Sequence, residues 1–275
     1  LQYMKKIMFS KEQEEEIINF YKKEYSIKYI SNIFKVSSGT ISKFLKRKKI
    51  DIVNKSQFKK IYSLNENFFE KIDTEEKAYF LGFLYSDGYI YPKKNSVSLC
   101  LQIEDIEILN KFNTCISSNR PLYRIKPPKK FPYRKVLVKL NIVNNQFFKH
   151  LISKGCLNKK SLILKFPNKS IIKKDLLHHF IRGYFDGDGS VYISSNKLNI
   201  EFTGTLNFIT EVQNILIKDL GFNKTSIYFK KNAKNTCRVR YTGNKQCLKF
   251  KNWLYKNSTV FLDRKKSKFE EIASV

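Results

Sequence analysis

The sequence predicts an α+β fold in which one unit of helices and strands occurs twice, behind a small three-helix domain. The first observation is an internal repeat, because residues 78–88 resemble residues 179–189 at a constant offset of 101 positions. The second is that the stretches after each copy alternate apolar and polar residues, as half-buried strands do. The third is a pair of helix-capping serines near the start of the chain. A chain of 275 residues is long enough to bury a core in such an arrangement.

Each copy of the repeated segment predicts a helix that ends at a glycine, Gly88 in the first copy and Gly189 in the second. Small residues recur four positions apart in both copies, which places them on one face of each helix. Two such faces can approach backbone to backbone, so these residues are predicted to form a helix interface. They are Gly82, Ser86, Gly183 and Gly187.

Two carboxylates stand at the predicted ends of these helices, Asp87 and Asp188. The helix dipole is unfavourable for an anion at that end, and two close carboxylates repel unless they share a proton or a cation. Hard oxygen ligands with room for water and phosphate suit Mg²⁺. The alternative is that each aspartate belongs to an ordinary Asp-Gly turn after a helix.

Residues 80–88 and 181–189 resemble the nine positions of the LAGLIDADG motif of homing endonucleases, in the single-chain form with two motifs. The resemblance covers residues 72–275. It implies a pseudo-dimeric core whose motif helices form the central interface, with Asp87 and Asp188 as ligands of a catalytic divalent metal. That metal is expected to be Mg²⁺, with Mn²⁺ able to substitute. The first copy carries Tyr85 where the second has Asp186, a position that is not the family's metal ligand.

A further duplication concerns two lysines, because residues 157–161 match residues 262–266 and give Lys160 and Lys265 equivalent places. A cation near a scissile phosphate can stabilise developing charge. The resemblance implies that a lysine here supports the active site, so both are candidate catalytic residues. The alternative is that each is an ordinary lysine without a catalytic role in a lysine-rich chain. The three histidines, which include the adjacent His178 and His179, are expected to be structural.

Residues 10–49 predict three short helices. Ser10 with Gln13 has the pattern of a capping box, Ser26 can cap a second helix, and residues 36–39 predict a turn before a third helix over residues 40–49. Two helices, a tight turn and a basic third helix resemble a helix-turn-helix DNA-binding unit. Its predicted DNA contacts are Ser38, Thr40, Ser42, Lys43, Lys46 and Arg47. The alternative is a three-helix packing module with a solvated basic end.

The strands of each repeat are predicted to form two antiparallel hairpins. They cover residues 89–91, 96–103, 122–126 and 135–142, then 191–194, 197–202, 226–230 and 238–241. Helices are expected over residues 105–115, 144–153, 210–220 and 244–255. Because a twisted ribbon fits the major groove, the polar residues expected on the outer faces are candidates for reading bases. They are Arg124, Lys126, Lys139, Asn141, Lys197, Asn199, Lys230, Arg238 and Arg240. The alternative for each is a solvated strand face.

The domains expected from these patterns are a helix-turn-helix domain over residues 1–50, a linker over residues 51–71, and repeats over residues 72–168 and 169–275. The chain carries 53 Lys and Arg against 24 Asp and Glu, a net charge of +29, which predicts a polyanionic partner. An anionic membrane surface is the competing partner, but no apolar run reaches transmembrane length. Five scattered cysteines without a Cys-x-x-Cys pair predict reduced thiols, no zinc site and an intracellular protein.

These expectations converge on a site-specific endonuclease that acts as a monomer on double-stranded DNA, with one repeat serving each strand. The resemblance implies cleavage across the minor groove that leaves short 3′ overhangs. Two other functions stay open, an intron RNA maturase and a DNA-binding regulator without chemistry. The N-terminal unit, which is typical of duplex DNA binding, argues against the first. The presence of both aspartates and both lysines argues against the second.

Overall fold

A computed structural model describes residues 9–23, 25–52, 62–230 and 235–271. The chain divides into two compact units, Leu1–Ser63 and Leu64–Val275. Most of the predicted linker, residues 53–61, lies outside the described residues. Its last part belongs to the larger unit, because Phe68 and Phe69 are buried in the core of that unit.

The smaller unit contains α1 (Lys11–Lys22), α2 (Ile27–Ile33) and α3 (Ser38–Arg47). Ser10 and Gln13 form a reciprocal capping box, in which the Gln13 amide donates to Ser10 Oγ at 3.2 Å and the Ser10 amide donates to Gln13 Oε1 at 3.0 Å. Ser26 caps α2 by accepting a hydrogen bond from the amide of Tyr29 at 3.2 Å. The three helices bury a core of their own that includes Ile17, Ile30, Ile41 and Leu45.

The third helix begins two residues earlier than predicted, at Ser38 instead of Thr40. The reason is that Ser37 acts as its N-cap, with Ser37 Oγ accepting from the Thr40 amide at 3.1 Å. Gly39 therefore lies in the first turn of the helix and not in the turn that precedes it. That turn instead contains Lys35 in a left-handed conformation, with φ 50°.

The larger unit repeats the order α-β-β-α-β-β-α, as predicted. The first repeat contains α4 (Glu75–Asp87), β1 (Tyr89–Tyr91), β2 (Ser96–Gln102), α5 (Ile106–Cys115), β3 (Tyr123–Ile125), β4 (Leu137–Val143) and α6 (Asn145–Ser153). The second contains α7 (Leu177–Asp188), β5 (Gly189–Ser194), β6 (Lys197–Gly204), α8 (Leu206–Leu220), β7 (Ile227–Phe229), β8 (Cys237–Thr242) and α9 (Asn244–Leu254), and α10 (Asp263–Lys268) follows. No helix in the described ranges has the length and apolarity needed to cross a membrane.

Within the described residues, the strands form two antiparallel four-stranded sheets with the same topology, β1-β2-β4-β3 and β5-β6-β8-β7. One face of each sheet packs on the core, as Val138 and Leu140 of β4 and Val239 of β8 show by their burial. The opposite face is not uniformly solvated, because Ser98 of β2 is buried as well. The helix α8 begins four residues before the predicted Thr210, since Thr205 Oγ1 caps it by accepting from the Phe208 amide at 3.3 Å.

The motif helices α4 and α7 pack against each other at the centre of this unit, with backbone touching backbone. A Cβ atom on Gly82 would overlap the carbonyl oxygen of Phe180, and one on Gly183 would overlap the carbonyl oxygen of Tyr79. These two contacts are related by the offset of the repeat, so the interface has approximate twofold symmetry. One turn further along, a Cβ on Gly187 would overlap the hydroxyl of Ser86. The structure therefore places all four predicted interface residues where α4 meets α7.

Replacement of Gly183 by alanine tests this contact. The added methyl group must push the two helices apart, because the obstructing atom is a backbone carbonyl that cannot rotate away. We expect Gly183→Ala to lower the free energy of unfolding of the larger unit by about 3 kcal/mol. Urea denaturation followed by circular dichroism measures this. The matched control is Gly39→Ala in α3, where the new Cβ meets Ser37 Oγ at an ordinary 3.6 Å and stability should not fall. Equal stability of Gly183→Ala and the unaltered protein would contradict this packing.

Candidate active site

The two motif aspartates are the last residues of their helices, Asp87 of α4 and Asp188 of α7. The close packing of the helices brings these ends together. A Cβ on Gly187 would lie 2.8 Å from Asp87 Oδ2, so the carboxylate of Asp87 rests against the residue that precedes Asp188. Both aspartates nevertheless remain exposed. The ends of the two helices thus present a pair of neighbouring carboxylates that a ligand from solution can reach.

The surroundings disfavour the charged form of both carboxylates. Partial removal from water raises the pKa of Asp87, and the nearby Lys160 and Lys265 oppose this shift. Partial removal from water, reinforced by the negative charge of Asp87, raises the pKa of Asp188 to about 6, again against the two lysines. Ionisation of either carboxylate therefore carries an electrostatic cost, which a shared cation would relieve.

Each candidate lysine binds the end of the motif helix of its own repeat. The ammonium of Lys160 donates to the carbonyl oxygens of Leu84 at 2.9 Å and Gly88 at 2.6 Å. The ammonium of Lys265 donates to the equivalent carbonyl oxygens of Phe185 at 2.6 Å and Gly189 at 2.7 Å. It also donates to Gly187 O at 3.2 Å. The last carbonyls of a helix lack partners within the helix, so these ammonium groups satisfy them and offset the negative end of the dipole.

Burial affects the protonation of both lysines. It lowers the pKa of Lys160 to about 8 and that of Lys265 to about 8, while the carboxylates of Asp87 and Asp188 act in the opposite direction. Both ammonium groups stay charged at pH 7 and lie beside the aspartate pair. Two cations, one from each repeat, therefore flank the two carboxylates.

The donor set at the helix ends fits a hard divalent cation. Among the residues that the structure describes, no group of three or more His, Cys, Asp or Glu could hold a metal ion. The site accordingly offers two carboxylates, and the remaining positions around a metal are left to water or to the oxygens of a bound phosphate. Mg²⁺ keeps several waters and binds through one or two carboxylates in this way. The glycine at position 187 leaves the space that the Asp87 carboxylate occupies.

The basic residues predicted for α3 lie on its surface, since Lys43, Lys46 and Arg47 are exposed. Arg47 also pairs with Glu14 at 3.5 Å. The hydroxyl groups predicted to contact DNA already have partners within the unit. Ser38 Oγ lies 3.1 Å from Ser31 Oγ, Thr40 Oγ1 lies 2.8 Å from Ser37 Oγ, and Ser42 Oγ donates to Ser38 O at 3.0 Å.

The open faces of the two sheets carry equivalent residues. Lys139 of β4 lies beside Tyr123 in the first sheet, and Arg238 of β8 lies beside Tyr228 in the second. Both tyrosines are more than half exposed, at 53% and 56%. In the second sheet, Glu201 holds two of the predicted base-reading residues. It accepts from Arg240 Nε at 3.0 Å and lies 3.6 Å from Arg238.

Two of the predicted base-reading residues are not placed as expected. Asn199 is buried and its side chain already has partners, since Nδ2 donates to Lys197 O at 2.9 Å and Oδ1 accepts from Thr242 Oγ1 at 2.6 Å. Arg124 pairs with Val138 in the strand register, so it lies on the core side of the sheet and is exposed because β3 is an edge strand. Asn141 and Lys197 lie on the open faces, whereas Lys126 and Lys230 follow the ends of β3 and β7.

A buried polar network at the start of the motif helices was not identified from the sequence. Arg182 of α7 is fully buried and pairs with Glu75 of α4 at 2.6 Å. Arg182 also donates to His179 Nδ1 at 2.6 Å, and burial followed by the Arg182 charge lowers the pKa of His179 to about 3. The signal in the sequence is an arginine next to the apolar residues of a motif helix, but nothing in the sequence identifies its partner.

A known protein family matches most of the second repeat. Residues 175–253 match the family profile of the LAGLIDADG-like domain, which confirms the resemblance for that repeat. Among solved structures, the chain is similar to the LAGLIDADG meganuclease I-AabMI bound to uncleaved DNA, at 13% identity over 71% of this chain and 88% of that chain, with a TM-score of 0.46. It is also similar to the I-LtrWI LAGLIDADG homing endonuclease bound to target DNA, at 13% identity over 76% and 90% of the two chains, with a TM-score of 0.46. The search of curated proteins found no match.

The raised pKa of Asp188 is expected to make the stability of the folded protein depend on pH. The pKa of Asp188 is about 6 in the folded protein, above the ordinary 3.8. Deprotonation of this side chain therefore costs more in the folded protein than in the unfolded chain, and the free energy of unfolding falls as pH rises from about 4 to about 6. We expect Asp188→Asn to raise the melting temperature in metal-free buffer at pH 7.5 and to bring no gain at pH 4. Differential scanning calorimetry with EDTA measures this. Asp219→Asn, at an exposed aspartate of α8, is the matched control. A melting temperature that Asp188→Asn leaves unchanged at pH 7.5 would show that the carboxylate pair is not under electrostatic stress.

Proposed function

We propose that this chain, whose second repeat is a LAGLIDADG-like domain, is a site-specific endonuclease that cleaves both strands of duplex DNA in a metal-dependent reaction. The observation that carries the proposal is the pairing of Asp87 and Asp188 at the ends of two helices that touch through glycine. Lys160 and Lys265, one from each repeat, both act electrostatically on these two aspartates. Two equivalent half-sites suit two phosphodiester bonds, one on each strand.

The two carboxylates would hold Mg²⁺ between the helix ends, with Mn²⁺ able to substitute. The chemistry that such a cation would supply is activation of a water nucleophile and stabilisation of charge on the leaving 3′ oxygen. Asp188, with a pKa of about 6, is mostly ionised at neutral pH, so it can bind a cation largely without losing a proton. Lys160 and Lys265 keep positive charge next to the scissile phosphates, where it opposes the negative charge that builds up during hydrolysis. Their hydrogen bonds to helix carbonyls fix where that charge lies.

The open faces of the two sheets are the proposed DNA-contacting surfaces. A net charge of +29 supports attraction to phosphates, and antiparallel sheets are among the elements that read the major groove. Arg240 is held by Glu201, which orients its guanidinium before DNA binds. A pair of hydrogen bonds from an arginine to guanine is the commonest specific contact between a protein and a base. The proposed sheet contacts are Lys126, Lys139, Asn141, Lys197, Lys230, Arg238 and Arg240, with α3 as a separate contact in the smaller unit. Because one chain supplies both half-sites, we propose that it acts as a monomer.

The proposal is tested by incubating the protein with a randomised duplex DNA library and Mg²⁺, with EDTA in a parallel sample, and sequencing the cut ends. Metal-dependent cuts that share one staggered end would support the endonuclease and reveal its target. Enrichment of one sequence without cutting would instead favour a DNA-binding regulator. Binding of intron RNA in competition with duplex DNA would favour a maturase.

Substitution of one aspartate separates catalysis from binding. Asp87→Asn keeps the shape of the side chain but removes the negative charge that would hold the metal. We expect it to reduce cleavage of both strands by at least about 100-fold, because the metal would be held by aspartates from both repeats. Binding in the absence of metal should change less than about threefold, as measured by gel shift. Asp219→Asn serves as the control. Undiminished cutting by Asp87→Asn would refute the metal assignment.

The role of α3 is tested by its exposed lysines. If Lys43 and Lys46 contact phosphates, replacing both by alanine should weaken binding to all DNA sequences and reduce the slope of log K against log salt by about 2. Fluorescence anisotropy over a series of salt concentrations measures this. Lys11→Ala with Lys22→Ala, at the two ends of α1, is the charge-matched control. An unchanged salt slope would assign α3 to packing alone.

A further inference from the structure

The segment between α9 and α10 that comprises residues 259–262, here called the strap, is bound by both motif helices. Glu75, the first residue of α4, accepts from the amides of Thr259 at 2.6 Å and Val260 at 3.1 Å, and from Thr259 Oγ1 at 2.9 Å. Arg182 of α7 donates to Val260 O at 2.9 Å. The strap is therefore fastened across the interface between the repeats, directly before the helix that carries Lys265.

The last residue of the strap is held by a buried carboxylate. Asp186 of α7 is 1% exposed, and its Oδ2 accepts from the Leu262 amide at 2.8 Å and from the Tyr79 hydroxyl at 2.7 Å. Leu262 is the N-cap of α10, and Lys265 lies in the first turn of that helix. The position of the Lys265 ammonium against the end of α7 thus depends on where Asp186 places the start of α10.

Tyr85 occupies the position in the first repeat that Asp186 has in the second. Its hydroxyl, like the Asp186 carboxylate, binds the backbone of the segment that leads to the lysine of its own repeat. Its hydroxyl donates to Lys154 O at 2.5 Å, in the loop that leads from α6 to Lys160. The same hydroxyl lies against Gly155, where φ is +91° and a Cβ atom would overlap it. In both repeats, the residue two positions before the metal-binding aspartate therefore binds the segment that carries the active-site lysine.

We propose that Asp186 is the positioning residue for Lys265 and that Tyr85 is the positioning residue for Lys160. This inference rests on the proposed function, in which each repeat serves one strand. A small displacement of a positioned charged group can cost up to about 100-fold in rate. Because Asp186 binds the strap of the second repeat and Tyr85 binds the loop of the first, each should control the cleavage of one strand. Arg264 donates two hydrogen bonds to Asp105, at 2.8 and 3.0 Å, and this pair keeps α10 docked when Asp186 is changed.

The test follows the cleavage of each strand separately, with a different label on each end of the target duplex. Lys265→Met and Lys160→Met first establish which strand depends on which lysine. We expect Asp186→Asn to slow the strand that Lys265→Met slows, by about tenfold or more relative to the other strand, so that nicked DNA accumulates. Tyr85→Phe is the matched variant and should slow the strand that depends on Lys160. Equal slowing of both strands, slowing of the opposite strand, or no slowing would overturn the assignment.

Hydrogen exchange of the free protein tests the same inference without catalysis. Asp186→Asn should speed deuterium uptake in peptides that cover residues 259–265 and leave those that cover residues 154–160 unchanged. Uptake that rises in both segments or in neither would overturn it. If the unaltered protein cuts no DNA, the proposed function fails, and the exchange result decides the role of Asp186 alone. If Asp186→Asn does not fold, Tyr79→Phe replaces it in both measurements, since it removes the hydroxyl that donates to Asp186 Oδ2 and holds this carboxylate against the Leu262 amide.

Discussion

The structure depends on one contact, the approach of α4 and α7 backbone to backbone at Gly82 and Gly183. Side chains of any size at these positions would occupy the space of a carbonyl oxygen on the facing helix. Because the two helices are this close, their C-terminal ends emerge side by side, and so do Asp87 and Asp188. The interface that organises the core of the larger unit is therefore also what forms the candidate active site. A change that separates the helices would affect stability and chemistry together.

The ends of these helices combine groups that are each unfavourable alone. A carboxylate opposes the dipole at a helix C-terminus, and two adjacent carboxylates repel each other. Lys160 and Lys265 compensate, since their ammonium groups bind the free carbonyls and lie near both aspartates. The two lysines come from different local structures, a turn of 3₁₀ helix in one repeat and α10 in the other, yet they bind equivalent carbonyl oxygens. The contacts of the two lysines are therefore alike in the two repeats, although the local structures that carry the lysines differ.

The features predictable from the sequence are those set by local rules. The capping serines, the glycine at each helix end, the small residues on one helix face and the alternation along the strands all depend on neighbours a few positions away. What could not be predicted depends on partners far along the chain. Glu75 and Arg182 are 107 positions apart, and the burial of Asn199 depends on Thr242 in a strand that the sequence does not pair with it. Tyr85 in place of Asp186 reads as a departure from the motif, whereas in the structure both residues bind the segment that leads to a lysine.

We propose that helix packing brings two separate aspartates together as one metal site. A crystal structure grown with Mn²⁺ and the DNA target, with anomalous diffraction data collected at the manganese edge, tests it most directly. We expect an anomalous peak between the carboxylates of Asp87 and Asp188, with Lys160 and Lys265 still bound to the helix carbonyls. Manganese bound elsewhere, or bound by one aspartate with the other turned away, would contradict it.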